Sequence, residues 1–155
     1  MLEYRKRKKE DAEGIFALIQ NTIKTVYPKY YPKEVTDFFC QNHSKNNIIA
    51  DIEKRHLNVL FSDGCLVGTG SLIDNHITRV YVTPDLKGKG YGSYIMQQLE
   101  KEIAGKYDSA CLDASLPASC FYEHRDYKTI KHEKMQVENG VYLVYEIMEK
   151  TIYEL

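Results

Sequence analysis

The feature that most restricts what this chain can fold into is Lys87-Gly88-Lys89-Gly90-Tyr91-Gly92-Ser93, set between a stretch of strand-like alternation and one of helical periodicity. Before it, Leu57, Val59 and Phe61 alternate, Ser62-Asp63-Gly64 is a turn signal, and Cys65 to Ile73 reads as the return strand of a hairpin. Asp74-Asn75 marks another reversal and His76 to Thr83 another strand, which Pro84 ends, so these strands follow one another antiparallel. After it, Gly92, Ile95, Met96, Leu99 and Ile103 recur at helical spacing, and Gly105 stands where a left-handed C-terminal cap is wanted. A loop of interleaved glycine and lysine at a helix start suits phosphate. Without Cβ atoms the backbone can close around an anion, its N–H groups point at the oxygens, and the helix terminus adds about half a positive charge. Lys87 and Lys89 add whole charges. The same composition also serves as a plain strand-to-helix connection, and the loop alone does not choose between the two.

Two well-known phosphate loops fit poorly. GxxxxGK[ST] is absent, and GxGxxG would put its third glycine at Ser93. A dinucleotide fold also begins with a strand-helix-strand crossover near its loop, whereas antiparallel strands precede this one.

Around this centre, Leu2 and Tyr4 alternate with charged residues as in an edge strand. Asp11 is placed to cap a helix with Ala12, Ile15, Phe16, Ile19, Ile23 and Val26 at helical spacing, closed by Pro28. A tyrosine-rich connection leads to a short helix with Val35, Phe38 and Phe39, and Ser44 is placed to cap another with Ile48, Ile49 and Ile52. Ser109 to Ser115 reads as a strand, Ala118 to Arg125 as a short helix, and Tyr127 to Val137 with Val141 to Met148 as a last hairpin across Asn139-Gly140. This order predicts an α/β (α+β) domain, with a mixed, mostly antiparallel central sheet and helices on both faces.

A length of 155 residues, 43 % of them hydrophobic, is about one domain's worth, and one domain over 1–155 is expected. Lys plus Arg (21) nearly cancels Asp plus Glu (22), so no overall field draws the chain to nucleic acid or an anionic membrane. Four cysteines without a CxxC pair, and no signal-peptide core, point to reduced thiols in a cytoplasm. No apolar run approaches the roughly 20 residues of a membrane span.

Val80-Tyr81-Val82-Thr83-Pro84, the loop to Gly92, and Phe121-Tyr122-Glu123 resemble, in order and spacing, the GNAT acetyltransferase superfamily. Its loop reads Q/R-x-x-G-x-G/A; Gly90 and Gly92 take the glycine places, and Lys87 stands where glutamine or arginine is usual. The resemblance implies an N-acetyltransferase in which an amine attacks acetyl-CoA directly, with no metal. The amides of Lys87, Gly88, Lys89, Gly90, Tyr91, Gly92 and Ser93 would hold the pyrophosphate. Val80, Tyr81 and Val82 would pair with pantetheine as an added strand does, the Val82 amide serving as oxyanion donor. Ser115 occupies a coenzyme-contact position often held by asparagine. Tyr122 sits where the family places the acid that protonates the departing thiolate, although in a chain with 13 tyrosines it is also an ordinary packing residue. His76, at the start of the motif strand, is the candidate base, with Asp74 and Asp113 behind it; the plainer alternative is a surface histidine beside a turn. The acceptor pocket would use Tyr27, Tyr30, Tyr31 and Glu34, aromatics with one acid that suit a cation, the plainer alternative being that Pro28-Lys29-Tyr30-Tyr31-Pro32 packs a connection. A homodimer is compatible with the sequence, which says nothing of oligomeric state.

Other signals are weaker. The basic run Arg5 to Lys9 lacks an aromatic ladder and leads at once into Glu10, Asp11 and Glu13, which favours a solvated strand end over a nucleic-acid grip. Cys120 and His124 are one helical turn apart but would need two more metal ligands from scattered positions. Cys111 and Cys120 flank the expected site, with inert thiols the default. The rival functions are a non-catalytic acyl-CoA-binding module and a nucleic-acid-binding protein using the basic run.

Overall fold

A computed structural model describes residues 1–54 and 56–152, His56 through its backbone alone. Strand β1 (Leu2–Lys6) leads to α1 (Ala12–Val26), α2 (Lys33–Asn42) and α3 (Lys45–Lys54), then to the meander β2 (His56–Ser62), β3 (Cys65–Ile73) and β4 (His76–Val82). Helix α4 (Tyr91–Ala104), β5 (Ser109–Ala114), α5 (Ser119–Glu123) and the hairpin β6 (Lys128–Gln136) and β7 (Tyr142–Thr151) complete the chain. One sheet of seven strands results, in the order β1-β2-β3-β4-β5-β7-β6, parallel at β4–β5 and antiparallel at every other pairing.

Strand alternation sends successive side chains to opposite faces, and each face has its own apolar cluster. Leu60, Leu72 and Ile77 meet Ile95, Met96, Leu99 and Ile103 of α4 on one face, while Leu57, Val59 and Tyr81 meet Ile15, Ile19 and Ile23 of α1 and Ile48 of α3 on the other. Helix α4 lies unusually close: a Cβ on Gly70 would come within 2.7 Å of Ile95 and 3.0 Å of Leu99.

Two irregularities open the sheet at its middle. Parallel strands β4 and β5 pair only at His76↔Cys111 and Ile77↔Leu112, then part. Opposite β3, the register passes from Thr69↔Tyr81 to Ser71↔Thr78, so Gly70 faces both Arg79 and Val80 in a β-bulge, with Arg79 at φ +49.

Local expectations met different fates. Ser44 caps α3 by accepting the Asn47 N–H at 3.2 Å. Asp11 does not cap α1: its carboxylate accepts from Lys8 N–H at 2.6 Å and from Arg5 at 2.8 and 3.1 Å, closing the preceding 3-10 turn. Gly105 is right-handed at φ −72, because Lys106 and Tyr107 N–H both return to Ile103 O and continue the turn.

Candidate functional site

Where β4 and β5 part, a cavity of about 1200 Å³ opens, with walls from both faces of the sheet. The loop from the 3-10 turn Pro84–Leu86 into α4 forms one end. Gly88 (φ +82) and Gly90 (φ +85) are left-handed, a conformation costing an L-residue about 1–2 kcal/mol. The first N–H of α4 with a backbone acceptor is that of Tyr94, which donates to Gly90 O at 3.0 Å. The N–H groups from Gly88 to Ser93 find no acceptor among the described residues. Lys87, Gly88, Gly90, Tyr91, Gly92 and Ser93 line the cavity; Lys89 is exposed and outside its wall. Tyr91 is tied down by a hydrogen bond from its hydroxyl to Ser62 Oγ (3.1 Å), and Gly92 lets Phe121 approach.

The free edge of β4 continues the wall. Thr83 N–H donates to Val67 O across the β3 side at 2.9 Å, so by alternation Val82 and Val80 direct their N–H groups toward the edge that β5 has left. Their side chains pack with the α4 cluster, whereas Tyr81 points to the α1 face.

On that face Tyr81 joins a line of polar groups. Its hydroxyl lies 3.1 Å from His43 Nε2 and 3.4 Å from the Tyr27 hydroxyl, which is itself 3.4 Å from Ser115 Oγ. His43 Nδ1 accepts from Arg79, whose guanidinium also holds Asp51 at 2.6 and 2.8 Å. The bulge residue is thus gripped by the end of α2 and by α3. Burial, with Arg79 adding to it, pulls the His43 pKa down to about 3. A neutral ring with both nitrogens engaged is not a base. Tyr122, from α5, is buried at the cavity wall, and no described residue hydrogen-bonds its hydroxyl. Burial, and Tyr27 nearby, raise its pKa far above the ordinary phenol value, so it keeps its proton.

His76 lies at the point where β4 and β5 part. Its Nδ1 is 3.4 Å from Cys111 Sγ and its Nε2 4.0 Å from Asp113 Oδ2, and both His76 and Asp113 line the cavity. Burial and the neighbouring Glu149 and Asp113 raise the Cys111 pKa, keeping it a thiol. Asp74 is exposed at its turn, where it accepts from Tyr107.

Of the expected acceptor pocket, Tyr27 reaches the cavity. Tyr31 is a buried tie, accepting Leu116 N–H at 2.8 Å and donating to Val144 O at 3.1 Å, while Tyr30 and Glu34 stand outside the wall. Phe38, Phe39, His43, Asp51, Arg79 and Tyr145 take part instead. Only the helical spacing of Phe38 and Phe39 hinted at that wall in the sequence. Of the basic run, Arg5 binds Asp11 and Arg7 donates to Ile52 O, while Lys6, Lys8 and Lys9 are exposed.

A cluster of unshared N–H groups, an open strand edge and a line of hydroxyls thus meet in one cavity where the sheet splays. The chain belongs to the GNAT acetyltransferase domain family, which it matches over residues 26–151. Its fold recurs in a GCN5-related N-acetyltransferase from Rhodopseudomonas palustris (24 % identity, TM-score 0.89, covering 96 % of this chain and 94 % of that one). It recurs also in PaiA N-acetyltransferase from Thermoplasma acidophilum, solved with coenzyme A (22 %, TM-score 0.77, 97 % and 99 %). A third is YncA from Salmonella typhimurium, a putative acetyltransferase solved with acetyl-CoA (17 %, TM-score 0.72, 100 % and 96 %). None of the curated proteins matches the sequence. Among the described residues no helix is long and apolar enough to cross a membrane.

Proposed function

We propose that this chain transfers the acetyl group of acetyl-CoA to an amine by direct attack. The observation that carries the reading is the continuity, in one cavity, of the open N–H cluster at Gly88 to Ser93, the free edge at Val80 and Val82, and the Tyr122 hydroxyl. The pyrophosphate would sit on the loop amides with Lys87 beside it and Lys89 as a long-range charge, and pantetheine would pair along Val80 to Val82 as an added strand. Ser115 and Tyr27 offer hydroxyls to the arm. The amine lone pair attacks the thioester carbonyl carbon, and negative charge gathers on its oxygen near the rigid Val82 amide. The C–S bond then breaks and the thiolate takes the Tyr122 proton. The proton released by the amine goes to His76, directly or through water, with Asp113 steadying the imidazolium. The products are an amide and free coenzyme A. A protonated Cys111 offers no nucleophile, which favours direct attack over a covalent enzyme intermediate.

The test is the melting temperature with acetyl-CoA, with ATP and NAD as controls, in the wild type and in Gly90→Asp. Ligand at 100 times its Kd should add about 2.7 kcal/mol, roughly 5 to 11 °C for a domain of this size. A rise specific to acetyl-CoA and lost in Gly90→Asp supports the reading. No rise at millimolar acetyl-CoA rejects it, and an equal response to ATP or NAD would make the loop a general nucleotide site.

A further inference from the structure

The cavity has two unlike walls. Toward α4 it carries the glycine loop, whose N–H groups have no acceptor among the described residues, beside Tyr91, Phe121 and Tyr122. Toward α2 and the β6–β7 hairpin it is aromatic, and α3 adds Asn47, Ala50 and Asp51. Phe38 and Phe39 meet edge to face with ring centres 6.0 Å apart, Phe39 meets Tyr27 at 4.8 Å, and Leu143 and Tyr145 extend the surface. Charge on this wall is confined. Arg79 and Asp51 close on one another at 2.6 Å, with the guanidinium side chain only 9 % exposed, and His43 is locked as a neutral link between Arg79 and Tyr81. Among the described lining residues, Asp113 is the carboxylate not committed to a guanidinium, and it stands beside His76.

An ammonium leaving water needs a carboxylate or an equivalent hydrogen-bonding partner, and an aromatic face offsets only part of that desolvation. One carboxylate beside the candidate base matches one ammonium, and the phenylalanine wall matches an apolar body. We propose that the acceptor is an amine with a single positive charge on an apolar, ring-bearing body, seated against Phe38, Phe39 and Tyr145 with its nitrogen at His76 and Asp113. This rests on the acetyl-transfer reading above. A polyamine or aminosugar would bring further ammonium groups against rings that hold no counter-charge. A lysine side chain shares the single charge but has a thin, flexible stem that covers the wall poorly.

The experiment compares initial rates with 2-phenylethylamine, spermidine and Nα-acetyl-lysine amide at saturating acetyl-CoA, in the wild type, Phe38→Leu and Phe38→Glu. The melting shift with acetyl-CoA is recorded for each protein. The wild type should prefer 2-phenylethylamine by at least about tenfold in kcat/KM. Phe38→Leu should raise KM for that amine with kcat little changed, and Phe38→Glu should move the preference toward spermidine, while all three proteins keep the acetyl-CoA shift. Spermidine or the lysine amide as the best wild-type acceptor, or an unchanged ratio in Phe38→Glu, with the acetyl-CoA shift intact, overturns this proposal and leaves acetyl transfer standing. A wild type without the acetyl-CoA shift overturns the acetyl-transfer reading itself.

Discussion

Arg79 has no acceptor to offer, so its contact with His43 Nδ1 leaves the imidazole proton on Nε2, where the Tyr81 hydroxyl accepts it at 3.1 Å. Tyr81 also accepts from the Tyr27 hydroxyl at 3.4 Å. The protonation of His43 also has a consequence for stability. An unfolded histidine takes up a proton near pH 6.5, whereas this one does so only near 3, through burial and the adjacent guanidinium. Its contribution is therefore complete above about pH 6.5 and is lost as the pH falls toward 3, at about 1.4 kcal/mol per pH unit. His43→Gln keeps one acceptor and one donor but does not titrate. Denaturant unfolding at pH 7 and pH 5 should show the wild type losing about 2 kcal/mol more than the variant over that interval. Equal losses would mean that His43 titrates as an exposed histidine does.

Two glycines near α4 divide by their surroundings. Gly70 lies under the helix, and a Cβ there would stand 2.7 Å from Ile95, so Gly70→Ala should destabilise by about 1–3 kcal/mol in denaturant unfolding. Gly105 is right-handed, with only Glu102 O within reach of a Cβ at 3.7 Å, so Gly105→Ala should stabilise by about 0.4–1 kcal/mol. Opposite signs would reverse the assignment of close packing and backbone conformation. The element order was legible because periodicity changes cleanly at each boundary: Leu57, Val59 and Phe61 alternate, whereas Ile95, Leu99 and Ile103 do not. Gly105 was misread because a glycine after a helical run is usually a left-handed cap, and nothing local reveals that the turn continues to Ile103. The bulge at Arg79 was illegible for a different reason. A left-handed arginine is unfavourable locally and persists because Asp51 and His43, distant in sequence, hold its side chain.

At the scale of the whole molecule, the splay between β4 and β5 lets one cavity draw on both faces of the sheet. The half built by the loop and the β4 edge is local in sequence and was readable as a motif. The half built by Phe38, Asp51, Arg79, Asp113 and Tyr145 is assembled by folding, from residues with no shared spacing. Tyr122 stands at the join. It contributes a ring to the apolar cluster with Tyr127 and a hydroxyl that no described residue engages. These two roles separate in Tyr122→Phe, which keeps the ring and removes the acid. If the hydroxyl protonates the departing thiolate, kcat should fall by about 10²-fold, the low end for acid catalysis because proton transfer from so weak an acid is uphill. The melting temperature and the acetyl-CoA shift should remain close to wild type. Replacing coenzyme A with an analogue whose thiol is more acidic should then recover much of the lost rate, since a better leaving group needs its proton less. A variant with unchanged kcat would leave Tyr122 as a packing residue, with the thiolate protonated from solvent. A fall that no leaving group relieves would place the role of Tyr122 in holding the coenzyme arm.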